Sequence, residues 1–337
     1  MITCENEKYI RFDTVKIKAD EKYLLNTYLK FNDMFNPRTS EKTGVVYNTK
    51  DDIMNPYNLF IGVSYVQKTL TLEFSSKILL EDYPKLISKY TLRKCLENIN
   101  KLGICKIDVD SILETGCFTN LHVTKDTNFE LTEEVLNELN CNVKNYRRYK
   151  WKHYTNEGIT FSKDVKSKDC KEDIILYNKE KELSCSVNNR KFLNSLSNKS
   201  EICEYFKGKT RFEIRLTTQK KIKDYLGITD TKIQSVLNST SNPILKQFNK
   251  VFGESTKNEH PDINIDNWEN YSMYLILKEQ GFDLKLVEQK IRSLYPSNSG
   301  YYDRKTKIER IYDSLHIPVY TRSRFPVMSV HCLFKND

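Results

Sequence analysis

The sequence predicts an α+β protein, with a strand-rich domain over residues 1–218 and a mostly helical region over 219–337. Three observations carry this reading. Before Thr218, several segments alternate apolar and polar residues with the period of a half-buried strand. After Thr218 the alternation stops, and short segments with helical spacing take over. The composition, 39% hydrophobic and 12% aromatic over 337 residues, supplies enough apolar surface for a real core.

In chain order, Arg11-Phe-Asp-Thr-Val-Lys-Ile-Lys18 and Leu70-Thr-Leu-Glu-Phe-Ser75 alternate as strands. Asn36-Pro37 and Asn55-Pro56 mark turns between them. Leu92, Cys95, Leu96, Ile99 and Leu102 recur with helical spacing, with Thr91 placed to cap the start and Gly103 the end. A strand over Phe118–Asp126 and a short helix over Leu131–Leu139 follow. Strands are expected at 158–162, 173–179 and 210–217. The polar stretch Ser184–Ser200 reads equally as a loop or an exposed helix. Helices are expected at 220–226, 230–237 and 244–252, then as a pair over Trp268–Tyr295 broken at Gly281, and at Arg304–Leu315. No repeat of fixed period is visible.

The composition excludes several classes. No apolar run approaches the length of a membrane span. The start, Met1-Ile-Thr-Cys-Glu-Asn-Glu7, lacks the basic and apolar segments of a secretory signal, and nine scattered cysteines without a C-x-x-C pair read as reduced thiols of a cytoplasm. Five histidines without close spacing argue against a clustered Cys/His zinc site. Neither a P-loop, a G-x-G-x-x-G turn nor a G-x-S-x-G elbow is present. Lys plus Arg exceeds Asp plus Glu, 54 against 45, for a net charge of +9. That balance suits a nucleic-acid partner without requiring one.

Four segments hold groups suited to chemistry. Asp173–Leu183 places Tyr177 and Lys179 two residues apart, on one face of a strand. Thr210–Leu216 alternates Arg211, Glu213 and Arg215 against Phe212, Ile214 and Leu216. If the two strands are neighbours, one polar face carries a phenol, an ammonium, a carboxylate and two guanidinium groups. A phenol can attack phosphorus, and cations can stabilise the charge that develops. The same pattern also describes a solvent-facing sheet laced with salt bridges. In Thr119–Asp126, His122 and Asp126 project together and make a metal corner with Glu213, or a hydrogen-bonded structural pair. Lys144–Tyr154 interleaves Arg147, Arg148, Lys150 and Lys152 with Tyr146, Tyr149, Trp151 and Tyr154. No acidic residue occurs between Glu138 and Glu157, so this segment suits stacking and phosphate contacts with single-stranded DNA.

Taken in order, these segments resemble the rolling-circle replication initiators of filamentous phages (the gene II/X type) and the related trans-acting plasmid initiators. The resemblance covers roughly residues 60–218. Thr71–Leu80 is similar to the family's Ser-x-x-Lys segment, with Lys77 as the lysine. Thr119–Asp126 is similar to its Asp-containing strand, although Asn120 and His122 stand where the family often has Arg and Asp. Ile175-Leu-Tyr-Asn-Lys-Glu-Lys-Glu-Leu183 is similar to its hydrophobic-Tyr-Asn/Asp-Lys-x-x-Glu motif, and Arg211–Leu216 to its Arg-hydrophobic-Glu strand.

The resemblance implies an antiparallel-sheet nickase domain followed by a helical region, whose segments Trp268–Tyr295 or Arg304–Leu315 read either as a helix-turn-helix for duplex DNA or as part of a helical packing domain. It implies an origin-specific enzyme of a bacterial cytoplasm, with single-stranded and duplex origin DNA, a host helicase and polymerase, and a second copy of the chain as partners. Tyr177 would be the nucleophile, although Tyr146, Tyr149 and Tyr154 remain alternatives. Mg²⁺ or Mn²⁺ would be held by His122, Asp126 and Glu213. Lys179 and Arg211 would contact the scissile phosphate, and Lys77, Arg147, Arg148, Lys150, Trp151, Lys152 and Arg215 would bind DNA. Three alternatives stand beside this reading: a DNA-binding replication or copy-control factor without catalysis, a mobilisation relaxase, and an RNA-binding or structural phage protein.

Overall fold

The computed structural model describes residues 10–48, 57–128, 130–133, 135–136, 139, 149–154, 158–163, 172–252, 268–280 and 283–314. They form two compact units. The first takes in the described residues up to Leu131 and from Lys150 to Gln247, and the second those from Thr132 to Tyr149 and from Phe248 onward.

The first unit is built on one large sheet. Its strands are β1 (Phe12–Asp20), β3 (Asn32–Phe35), β4 (Lys42–Asn48), β5 (Leu59–Ser64), β6 (Thr69–Ser75), β8 (Cys117–Thr127), β9 (Tyr149–Tyr154), β10 (Gly158–Lys163), β11 (Asp173–Asn178) and β12 (Thr210–Leu216). They lie in the order β3-β4-β5-β6-β1-β8-β12-β11-β10-β9. Every pair from β3 through to β10 is antiparallel. The short strands β2 (Leu24–Thr27) and β7 (Cys105–Ile107) pair separately. The fold is therefore α+β with an antiparallel sheet, as the sequence predicts.

The sheet order contains a duplication that the sequence does not announce. In one half the chain starts at the inner strand β1, moves to the outermost β3, and returns inward through β4, β5 and β6. In the other it starts at β8, moves to β9, and returns through β10, β11 and β12. The two five-stranded halves meet at the antiparallel β1–β8 seam, so a local two-fold relation links their topologies.

Alternation decides the faces. Val15 and Ile17 of β1, Leu70, Leu72 and Phe74 of β6, Leu121 and Val123 of β8, and Ile214 and Leu216 of β12 are buried. Helices α2 (Val109–Thr115), α6 (Gln219–Leu226) and α7 (Ile233–Leu237) pack on the central strands. Because α6 lies against β8 and β12, the sheet-bearing unit runs past residue 218 to Gln247. The helix predicted from Leu92 forms as α1 (Leu92–Lys101), and Gly103 follows it with φ +69°. Only a residue without a Cβ enters that region at little cost. Thr91 does not cap α1 with its side chain: its hydroxyl donates to the Leu86 carbonyl at 2.7 Å and accepts the Ser88 N–H at 2.8 Å.

Ser184–Ser200 turns out to be mostly helical. Helices α3 (Lys179–Cys185), α4 (Val187–Asn194) and α5 (Lys199–Phe206) bury Leu183, Phe192, Leu193, Ile202 and Phe206 around Tyr83. Tyr83 comes from a 3-10 segment, Ser76–Lys85, that follows β6. Helix α8 (Pro243–Phe252) is as predicted. In the second unit, α9 (Trp268–Glu279), α10 (Leu284–Leu294) and α11 (Asn298–Ser314) bury Met273, Leu277, Val287, Ile291 and Ile308 together. Asp283 caps α10 by accepting the N–H groups of Lys285 and Leu286. Among the described residues, no helix is long and apolar enough to cross a membrane.

Candidate active site

The strand registers bring the predicted groups together. Tyr177 of β11 stands opposite Arg211 of β12, and Arg211 opposite Asp126 of β8. Four residues further along β12, Arg215 stands opposite His122, and His122 opposite Thr14 of β1. Directly opposed residues share a face of a sheet. These side chains thus share the face opposite the one under α2, α6 and α7. A cleft of about 920 Å³ opens there, lined by Asp13, Lys77, His122, Tyr177, Lys179 and Glu213 among others.

Tyr177 is the penultimate residue of its strand, and Asn178 ends the strand and starts a helix. The Asn178 side chain accepts the Lys181 N–H at 3.0 Å, a side-chain cap of α3. Lys179 is therefore the first residue of a helix, where alternation had placed it on the strand. It still reaches the phenol: its ammonium lies 5.6 Å from the centre of the Tyr177 ring and 5.5 Å from that of Tyr83. Burial disfavours the Lys179 ammonium, and the Glu182 carboxylate at 2.7 Å holds it charged. Burial likewise pushes the Tyr177 phenol well above its ordinary value, against the opposing pull of Lys179 and Arg211. At neutral pH this is a neutral phenol beside a cation that favours its deprotonated form.

Gly158 of β10 lies opposite Tyr177. A Cβ at Gly158 would press on the Leu176 carbonyl oxygen and come within 2.7 Å of Tyr177 Cβ. Gly158→Ala is expected to displace Tyr177 and cost about 1–3 kcal/mol of stability, read in a urea melt.

Arg211 is fully buried, and each of its three side-chain nitrogens has a carboxylate partner. Its Nε and Nη2 bind the two oxygens of Asp126 at 2.6 and 2.7 Å, and Nη1 binds Asp13 Oδ1 at 2.7 Å. This corrects two assignments. Asp126 is not placed to ligate a metal, because both its oxygens are in the fork with Arg211. Arg211 is not placed to touch DNA, because its guanidinium is inside the protein.

Asp13 was not found from the sequence. The β1–β8 register slips between Phe12 and Thr14, a bulge. Phe12 and Val15 point into the core, while Asp13 and Thr14 both point away from it. A bulge of this kind re-aims a side chain that regular alternation would bury. Burial would raise the Asp13 carboxyl, but Arg211, Lys179 and His122 outweigh it and lower it to about 2.

Glu213 lies between His122 and Arg215. His122 Nδ1 is 3.3 Å from its Oε1, and Arg215 Nε donates to the same oxygen at 3.0 Å. Burial works against its charge, yet hydrogen bonding and attraction from His122 bring its carboxyl below the ordinary value. A divalent cation does not fit the expected three-residue set: His122 and Glu213 remain, and Asp126 is engaged elsewhere. Among the described residues, no three His, Cys, Asp or Glu side chains gather as a metal site.

Of the remaining predicted residues, Arg215 is exposed at the cleft, and Lys152 of β9 is exposed and lines it. Lys150 and Trp151 belong to β9, while Arg147 and Arg148 lie outside the described residues. Besides Asp13, the sequence reading missed Tyr83 and Asn189. Glu182 sat inside the quoted motif without a role.

No family model matches this chain, and no curated protein matches it in sequence.

Proposed function

We propose that this chain cleaves and rejoins one strand of DNA through Tyr177, as the initiator of rolling-circle replication. The observation that carries the reading is the pairing of Tyr177 with Lys179 at the strand-to-helix junction, on a cleft whose wall holds the His122–Glu213 pair. The Tyr177 oxygen attacks the phosphorus of a phosphodiester. The bond from phosphorus to the 3′-oxygen breaks, the phenol proton is removed, and the 3′-oxygen gains a proton. The products are a 5′-phosphotyrosine ester and a free 3′-hydroxyl that primes synthesis. In the reverse step a 3′-hydroxyl attacks the ester and tyrosine leaves. The ester conserves the bond, so rejoining needs no nucleotide triphosphate.

In this reading the proton passes to His122, which lines the same cleft with one ring nitrogen facing Glu213. Lys179 steadies the phenolate as it forms. The substrate is single-stranded DNA at an origin, entered beside the exposed cations Arg215 and Lys152.

The test is covalent trapping. Labelled single strands from the replicon's own origin are incubated with the protein under Mg²⁺, Mn²⁺ or chelator, then run on a denaturing gel. A labelled protein band supports the reading. No band under any condition, with tight binding to duplex origin, would favour a DNA-binding factor without catalysis. A band that survives chelator assigns His122 and Glu213 to proton transfer, and one that needs the cation assigns them to holding it. Glu213→Gln is expected to lower cleavage about a hundredfold while leaving DNA binding unchanged. Equal loss of both would mean Glu213 serves folding.

A further inference from the structure

The buried cations of the cleft are not equivalent. Arg211 holds two carboxylates and Lys179 holds Glu182. Lys77 is 7% exposed, and among the described residues no carboxylate lies within ion-pair distance of it. Its Nζ donates to Asn189 Oδ1 at 2.6 Å and sits 5.5 Å from the centre of the Phe192 ring. An ammonium has three N–H donors, and Asn189 accepts from one.

Asn189 is fixed for this task. Its Nδ2 donates to the Glu182 carbonyl at 2.9 Å and to Glu182 Oε1 at 2.7 Å, which turns Oδ1 toward Lys77. Glu182 holds Lys179 with its other oxygen. Two ammonium groups are thus tied to one Glu182–Asn189 bridge, and both line the cleft beside Tyr177. A buried ammonium without a counter-ion is costly, and an anion arriving in the cleft would relieve that cost. Burial lowers the Lys77 pKa and Lys179 adds to the effect, while Glu182 and Asp13, each bound to another cation, oppose it.

We infer that Lys77 and Lys179 form a subsite for a phosphoryl oxyanion, with Asn189 as the positioning residue for Lys77. In the strand-cleaving reading on which this inference rests, the subsite holds a backbone phosphate of the DNA beside Tyr177.

The test uses the full chain with inorganic phosphate and with a 5′-phosphorylated thymidine dinucleotide, read by thermal unfolding and calorimetry against chloride at equal ionic strength. Both probes are expected to raise the Tm of the wild type. Lys77→Met is expected to keep or raise the Tm without ligand, because it removes an unpaired buried charge. It should also weaken binding of the dinucleotide about ten- to a hundredfold. Lys77→Arg should restore binding, and Asn189→Ala should weaken it while leaving the charge in place. A lower ligand-free Tm in Lys77→Met with the phosphate effect intact would overturn the inference and make Lys77 structural. Absence of any phosphate effect in the wild type would overturn it as well. Tyr177→Phe leaves the subsite in place, so binding can be read whether or not the chain cleaves DNA.

Discussion

Tyr177→Phe is expected to abolish the covalent protein–DNA adduct while leaving the fold and DNA binding intact. The change removes one oxygen and keeps the ring that Lys179 faces at 5.6 Å. Without the phenol oxygen there is nothing to form the ester, so the loss should be complete to the limit of detection. Nicking and rejoining should vanish together, because they are two directions of one transfer. An adduct that persists in Tyr177→Phe would keep the enzyme class and move the nucleophile to another tyrosine, with Tyr146, Tyr149 and Tyr154 next in line. Thermal unfolding of the variant should match that of the wild type, which separates lost chemistry from lost structure.

The second large effect is structural and concerns Arg211. Arg211→Met should destabilise the first unit by about 3–5 kcal/mol, because it strands two buried carboxylates that were arranged around one guanidinium. The side chain of Asp126 is 4% exposed and that of Asp13 is 19% exposed, so solvent compensates poorly. Adding Asp126→Asn to Arg211→Met should recover part of the loss in a urea melt. If Arg211→Met unfolds like the wild type, the pairs contribute little to stability.

Asp13 sets the acid limb of the same effect. Its carboxyl is lowered to about 2 in the folded chain, against the ordinary value of 3.8. A depressed carboxyl stabilises the fold above the unfolded value, and that stability is lost as pH falls through the folded value. The contribution is about 2 kcal/mol, lost between roughly pH 4 and pH 2. The stability of Asp13→Asn should therefore be flatter with pH across that window.

Much of this protein is legible in its sequence. Period-two alternation placed Arg11–Lys18, Leu70–Ser75 and Thr210–Thr217 in strands, and helical spacing placed Leu92–Leu102 in a helix, because burial on one face imposes a local period. The candidate residues Tyr177, Lys179, His122 and Glu213 were also legible, since their chemical types stand out on those strands. What the sequence could not supply was partnership across long separations. Asp126 was read as a metal ligand because its alternation was right, but which neighbour takes its oxygens depends on β12 lying beside β8. Asp13 escaped notice because a bulge, set by register against another strand, turns it out of the alternation. Asn189 sits in the stretch that reads as loop or exposed helix and Glu182 near the end of the Tyr177 motif, and both gain their roles only when these helices pack around Tyr83. The duplicated sheet is invisible as a repeat because each half needs only the same alternation and strand order, which different residues satisfy equally. Local periodicity therefore determined the elements and nominated the candidate groups. Tertiary structure alone decided which charges neutralise one another inside the fold and which face the cleft, because ion pairing depends on distance in space and hydrophobic patterning does not encode it.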